Sequence, residues 1–202
     1  MKTILCYGDS NTWGYVPGSD GARFPWETRW PGVLQRELGD GYRVIEEGLN
    51  GRTTVLDNPL DPYRNGRDHL VPCLESHRPL DLVVVFLGTN DLSDRYALPP
   101  IDIARGAAAL ALIARQSGGN PQALLLGLPL LGTNVDESMA GAAAKARELP
   151  RCFRIAAEEA GVLLLDLSEH AAYTDLDGIH LDADGHTAVA LAVARAVRNV
   201  LD

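Results

Sequence analysis

The sequence predicts a single α/β domain, a three-layer α/β/α sandwich on a five-stranded parallel sheet, and two observations predict it. Five short apolar runs bounded by Gly, Pro or Asp read as buried strands, and segments of helical periodicity lie between them. A parallel pair needs a connection long enough to return over the sheet, so this alternation implies right-handed crossovers with helices on both faces. At 202 residues and 46% hydrophobic content, the chain can bury one full core and has the size of one domain.

Lys2 to Tyr7 is the first expected strand, followed by a long connection from Asn11 to Arg29 and a helix from Trp30 to Leu38. Tyr42 to Glu47 is the second strand, and the connection from Gly51 to Pro79 is expected to hold a helix near Arg67 to Ser76. Leu82 to Leu87, Ala123 to Leu128 and Val162 to Leu167 complete the sheet, with helices expected over Ile101 to Arg115, Met139 to Ala160 and Asp182 to Leu201. Ala-rich helices suit close packing on such a sheet, and Asp182 is a natural N-cap for the last. The two long connections are expected to line a site, since loops of that length are uncommon in compact domains otherwise. Trp13, Tyr15, Phe24, Trp26 and Trp30 crowd the first, either capping the sheet edge or forming a substrate pocket.

Charge narrows the partners. With 18 Lys and Arg against 27 Asp and Glu, the net charge of −9 argues against nucleic acid or an anionic membrane surface as the main partner. No run has the length of a membrane span, and the N-terminus reaches Gly8-Asp9 before it forms the apolar core of a signal peptide, so a cytoplasmic protein is expected. Cys6, Cys73 and Cys152 are odd in number and lack the paired spacing of a zinc site, which makes reduced structural thiols the expectation.

In an open parallel sheet, ligands bind beyond the carboxyl ends of the strands. There the chain places Gly8-Asp9-Ser10-Asn11, Gly48-Leu49-Asn50-Gly51-Arg52, Gly88-Thr89-Asn90-Asp91 and a loop leading to Asp177-Gly178-Ile179-His180. A serine hydroxyl becomes a nucleophile when an imidazole takes its proton, and the imidazole needs a carboxylate to set its tautomer. Ser10, His180 and Asp177 supply these parts, and the glycine between Asp177 and His180 lets one tight turn aim both side chains together. Oxyanion donors are available from the N–H groups of Ser10 and Gly51 and the Asn90 amide. Trp13 and Arg52 are candidate substrate-binding residues, Arg52 having a structural ion pair as its alternative. His69, His77, His170 and His186 have no partner at telling spacing. Asp9 and Asp91 are expected to hold turns.

These four blocks, in this order, resemble the SGNH (GDSL-type) hydrolases over nearly the whole chain. Cys6 to Gly14, Glu46 to Thr54 and Leu80 to Val85 resemble more narrowly the branch of bacterial arylesterases and the mycobacterial acyltransferase/perhydrolase. The resemblance implies a flavodoxin-like strand order, with Ser10 as nucleophile, Gly51 and Asn90 as oxyanion donors, Asp177 as the orienting acid and His180 as the base. It also implies a serine esterase for short acetyl or aryl esters, with acyl transfer as a further activity and no cofactor or metal. Carbohydrate acetyl esters, lysophospholipids and thioesters are the alternative substrates. Homo-oligomers occur in this branch, and Leu130 to Pro150, which differs from the mycobacterial enzyme's proline-rich stretch, is the expected contact region.

Two other classes compete. Asp9, Asn90, Asp91, Asp177, His180 and Asp182 at one rim suit a metal-dependent phosphoesterase, without a familiar ligand spacing. A receiver-like binding module expects a Lys after the fifth strand, where this chain reads Asp166-Leu167-Ser168-Glu169, and Gly-x-Gly-x-x-Gly for a dinucleotide is absent after the first strand.

Overall fold

A computed structural model describes residues 1–202 as a five-stranded sheet flanked by two layers of helix. The strands are β1 (Lys2–Gly8), β2 (Tyr42–Gly48), β3 (Leu82–Phe86), β4 (Gln122–Gly127) and β5 (Leu163–Asp166). They pair in the order β2-β1-β3-β4-β5, parallel throughout. This is the flavodoxin-like order, whose switch point falls between β1 and β3. Every residue of β3 is buried, which is why it reads as an unbroken Leu-Val-Val-Val-Phe run rather than an alternating one.

The helices are α1 (Ser10–Trp13), α2 (Trp30–Leu38), α3 (Gly66–His77), α4 (Pro100–Arg115), α5 (Ala142–Ala146), α6 (Leu149–Ala160) and α7 (Ala183–Leu201). Two neighbouring residues of β2 locate the layers, because successive strand side chains point to opposite faces. Glu46 reaches Arg29 at the start of α2, whereas Glu47 reaches His77 at the end of α3. Helices α2 and α7 pack together on the first face; α3, α4 and α6 follow one another on the second.

The expected strands and helices are found within a few residues, with two differences. Met139 to Ala160 is not one helix: α5 ends at Ala146 and α6 begins at Leu149 with Pro150 in its first turn. Pro lacks the N–H that an interior turn needs yet fits a first turn, so Pro150 permits a new start and not a continuation. The second difference is α1, a single turn at the head of the first long connection. Asp9 caps it by accepting from Asn11 N–H, and Gly14 ends it in the left-handed region. Asp182 caps α7 as expected, accepting from Gly185 N–H. No helix is long and apolar enough to cross a membrane.

His186 in α7 is fully buried, accepts Trp30 N–H at its Nδ1 (3.2 Å) and meets the edge of Phe24. Burial lowers its pKa to about 4, so the folded chain holds it neutral. The unfolded chain takes up a proton near pH 6.5. Its contribution is therefore intact above about pH 7 and is lost as the pH falls from about 6.5 toward 4. In His186→Asn, where Oδ1 replaces Nδ1 as acceptor, chemical denaturation is expected to show a smaller loss of stability over that range than the wild type shows.

Candidate active site

The C-terminal ends of β1, β2 and β3 lie side by side, and each delivers one polar group to the same rim. Ser10 opens α1 immediately beyond β1. Its Oγ lies 2.9 Å from His180 Nε2, and His180 Nδ1 lies 2.9 Å from Asp177 Oδ2. With Nδ1 protonated toward the carboxylate, Nε2 is left as the acceptor for the serine proton. Gly178, at φ 78°, bends the chain so that Asp177 Oδ1 also accepts from the N–H groups of Ile179 and His180. The acid thus holds both the ring and the backbone of its histidine. Tyr15 stacks on the imidazole with centroids 4.5 Å apart, closing one face of the ring.

Asn11 joins the two halves of this site. Its Nδ2 donates to Ile179 O at 3.0 Å, and its Oδ1 accepts from Leu181 N–H at 2.9 Å. The segment carrying Ser10 is thereby fixed to the segment carrying His180, about 170 residues away in sequence. Asn11 has no assigned role in the sequence because both its partners are backbone groups on a distant loop; Tyr15 is one of five aromatics named there, and only the fold shows that its ring is the one facing the imidazole.

Two of the donors expected for an oxyanion, Gly51 and Asn90, lie on neighbouring segments. Leu49 to Arg52 forms a tight turn closed by Arg52 N–H to Leu49 O, with Gly51 at φ 73° in the position that favours glycine. Asn90, just beyond β3, donates one amide proton to Arg52 O at 2.9 Å, which sets its side chain beside that turn and leaves its second proton available. Asp91 next to it is buried and accepts from the N–H and Oγ1 of Thr54, tying the same two segments together again. Burial raises its pKa to about 6 despite those donors. Asp9 is fully buried too, and burial raises its pKa to about 7 against the opposing bond from Asn11 N–H. Asp9 holds its own turn, as expected, whereas Asp91 reaches across to a segment 37 residues away.

Arg52 is a correction. Expected to bind substrate, it is buried, with Nη1 bonded to the carbonyl oxygens of Gly8 and Glu47 and its guanidinium 4.2 Å from the centre of the Tyr7 ring. Its charge is spent on the carbonyl ends of β1 and β2 and is not offered to a ligand. Trp13 remains half-buried beside Ser10, under the Arg23 guanidinium.

A serine, an imidazole and a carboxylate are thus linked in series at the carboxyl rim of the parallel sheet. The chain belongs to the GDSL-like lipase/acylhydrolase family, whose model matches residues 6–188. Among solved structures it is similar to the native aryl esterase of M. smegmatis, at 38% identity and a TM-score of 0.91 with all of both chains covered. It is likewise similar to Est24, a carbohydrate acetylesterase from Sinorhizobium meliloti, at 35% identity and a TM-score of 0.93, again over the full length of both chains. A lipase/acylhydrolase from Enterococcus faecalis, 19% identical over 98% of this chain and 96% of that one with a TM-score of 0.68, shares the fold. Among curated proteins, recombination protein RecR of Xylella fastidiosa is 33% identical over 102 residues, 50% of this chain. The chain spans 46% of that relative, and so partial a match carries no assignment.

The Asn11 bridge makes a specific expectation. Asn11→Ala removes both bonds to the histidine loop, and misplacement of this order costs about 10²-fold in turnover. Steady-state kinetics on a small activated ester are expected to show that loss in kcat with KM nearly unchanged.

Proposed function

We propose that this chain is a carboxylic ester hydrolase working through an acyl-enzyme on Ser10. The observation that carries this reading is the continuous line Ser10 Oγ to His180 Nε2, His180 Nδ1 to Asp177 Oδ2. His180 takes the serine proton as Oγ attacks the ester carbonyl, and the carbonyl oxygen gains negative charge. The N–H groups of Ser10 and Gly51 and the free amide proton of Asn90 receive that charge. His180 then returns the proton to the departing alcohol, and water or a second alcohol resolves the acyl-enzyme by the same steps in reverse.

Short acyl groups are the proposed substrates, in keeping with the aryl esterase and carbohydrate acetylesterase to which the chain is similar. The similarity to a carbohydrate acetylesterase supports acetylated carbohydrate as the second reading. Beyond the Gly51 turn, Leu49, Asp57, Asn58, Arg64 and Asn65 help to line a cavity of about 740 Å³.

The test is turnover of p-nitrophenyl acetate in EDTA by wild type and Ser10→Ala. Wild-type activity with a loss of about 10³-fold or more in the variant is the expected result. A variant that matches wild type removes Ser10 from the mechanism. A chain-length series from acetate to decanoate is expected to fall steeply beyond the short esters. Gly51→Ala separates donor from conformation: it keeps the N–H and adds strain of about 1–2 kcal/mol at positive φ. Activity near wild type with a lower melting temperature is expected.

A further inference from the structure

The face of α3 turned toward β2 carries His69, Cys73 and His77 at intervals of four, so all three lie in one stripe along the helix. Glu47, on the strand opposite, points into that stripe. Its Oε2 lies 3.7 Å from His69 Nε2 and its Oε1 lies 2.8 Å from His77 Nε2. The donor atoms of Glu47, His69 and Cys73 all lie within 4.8 Å of one another. None of these groups belongs to the line from Ser10 to Asp177, and beyond the pair of Glu47 with His77 the same carboxylate has a thiol and a second imidazole beside it.

We propose that Glu47, His69 and Cys73 form a binding site for a zinc-class divalent cation. Thiolate, imidazole and carboxylate together select a borderline ion such as Zn²⁺ over the hard cations Mg²⁺ and Ca²⁺, which take oxygen ligands. Donor atoms around tetrahedral zinc sit roughly 3.3–3.7 Å apart. Closing from the present separations requires about 1 Å of side-chain movement, which the half-exposed His69 can supply by rotation about its χ angles. His77 holds the second oxygen of Glu47 and so orients that ligand, the usual task of an outer partner. Three protein ligands leave a fourth position free, and since Glu47 and His69 both line the 740 Å³ cavity, that position opens toward solvent. On binding, the Cys73 thiol gives its proton to solvent and the thiolate becomes the ligand. In the sequence His69 and His77 have no partner at telling spacing, because the carboxylate that completes the set comes from a different element and only the fold brings it there.

Competition against a chromogenic zinc chelator tests the site directly on the metal-free protein. Wild type is expected to take up one Zn²⁺ with a Kd of about 1 μM or tighter. With Co²⁺ it is expected to show a near-ultraviolet thiolate charge-transfer band. His69→Ala and Cys73→Ser are each expected to weaken zinc binding by about 10-fold or more, and Cys73→Ser to lose the cobalt band. His180→Ala is expected to bind zinc as wild type does. The proposal is overturned if wild type takes up no stoichiometric zinc, if both His69→Ala and Cys73→Ser bind as wild type does, or if only His180→Ala loses binding. Melting curves in EDTA establish that each variant is folded. Should Cys73→Ser fail that check, His69→Ala, altered on the surface, decides the matter.

Discussion

The site rests on two glycines that face each other across the sheet. Gly8 and Gly48 are register partners at the last residues of β1 and β2, and α1 lies directly upon them. A Cβ on Gly8 would stand 2.0 Å from Thr12 Oγ1, and one on Gly48 would stand 2.1 Å from Trp13 N. Any side chain at either position lifts the turn that carries Ser10. The constraint is steric and local, yet it sets the height of Ser10 above the sheet. It therefore also sets where His180 must be to reach it.

The neighbouring rim segments are tied together by hydrogen bonds from side chains to backbone, and these bonds fix loops that no strand pairing holds. Asn11 grips the histidine loop, Asn90 grips the Gly51 turn at Arg52 O, and Asp91 grips the next residues at Thr54. Each gripping side chain follows a strand by three to five residues, so it inherits the position of the sheet. The price is desolvation of two carboxylates, Asp9 and Asp91, whose pKa values burial raises to about 7 and about 6. Functional sites characteristically hold such perturbed groups, because fixed donors and acceptors have to be paid out of water before substrate arrives.

What the sequence made legible follows from the range of each interaction. The strands and most helices were readable because hydrophobic runs and helical periods are local. Ser10, Asp177 and His180 were readable because their chemistry names them and because the order of four blocks is itself information. The break between α5 and α6 was missed because Ala-rich periodicity runs through Ala142 to Leu149, and the one contrary signal was Pro150. Arg52 was misassigned for a different reason: an arginine beside a cleft looks alike whether it faces a ligand or strand-end carbonyls, and only its burial under Tyr7 and against Gly8 O separates the two. Asn11, Tyr15 and the Glu47 to α3 contacts depend on which distant segments meet, and no local pattern encodes that.

Strand β2 shows how one edge element serves several ends. Its last side chains alternate between layers, with Glu46 paired to Arg23 and Arg29 on one side and Glu47 held by His69 and His77 on the other. Arg52 then folds back over the strand end to bond Glu47 O and Gly8 O. The strand that leads into the Gly51 turn is thus fastened from both faces and from above. An edge strand has only one neighbour to pair with, so these side-chain bonds replace the constraint that a second neighbour would give. A cation held at Glu47 would tighten only the α3 side of that fastening. Its effect would reach the Gly51 turn through the backbone of Glu47 and Gly48, leaving the line from Ser10 to Asp177, which runs on the other strands' loops, as it stands.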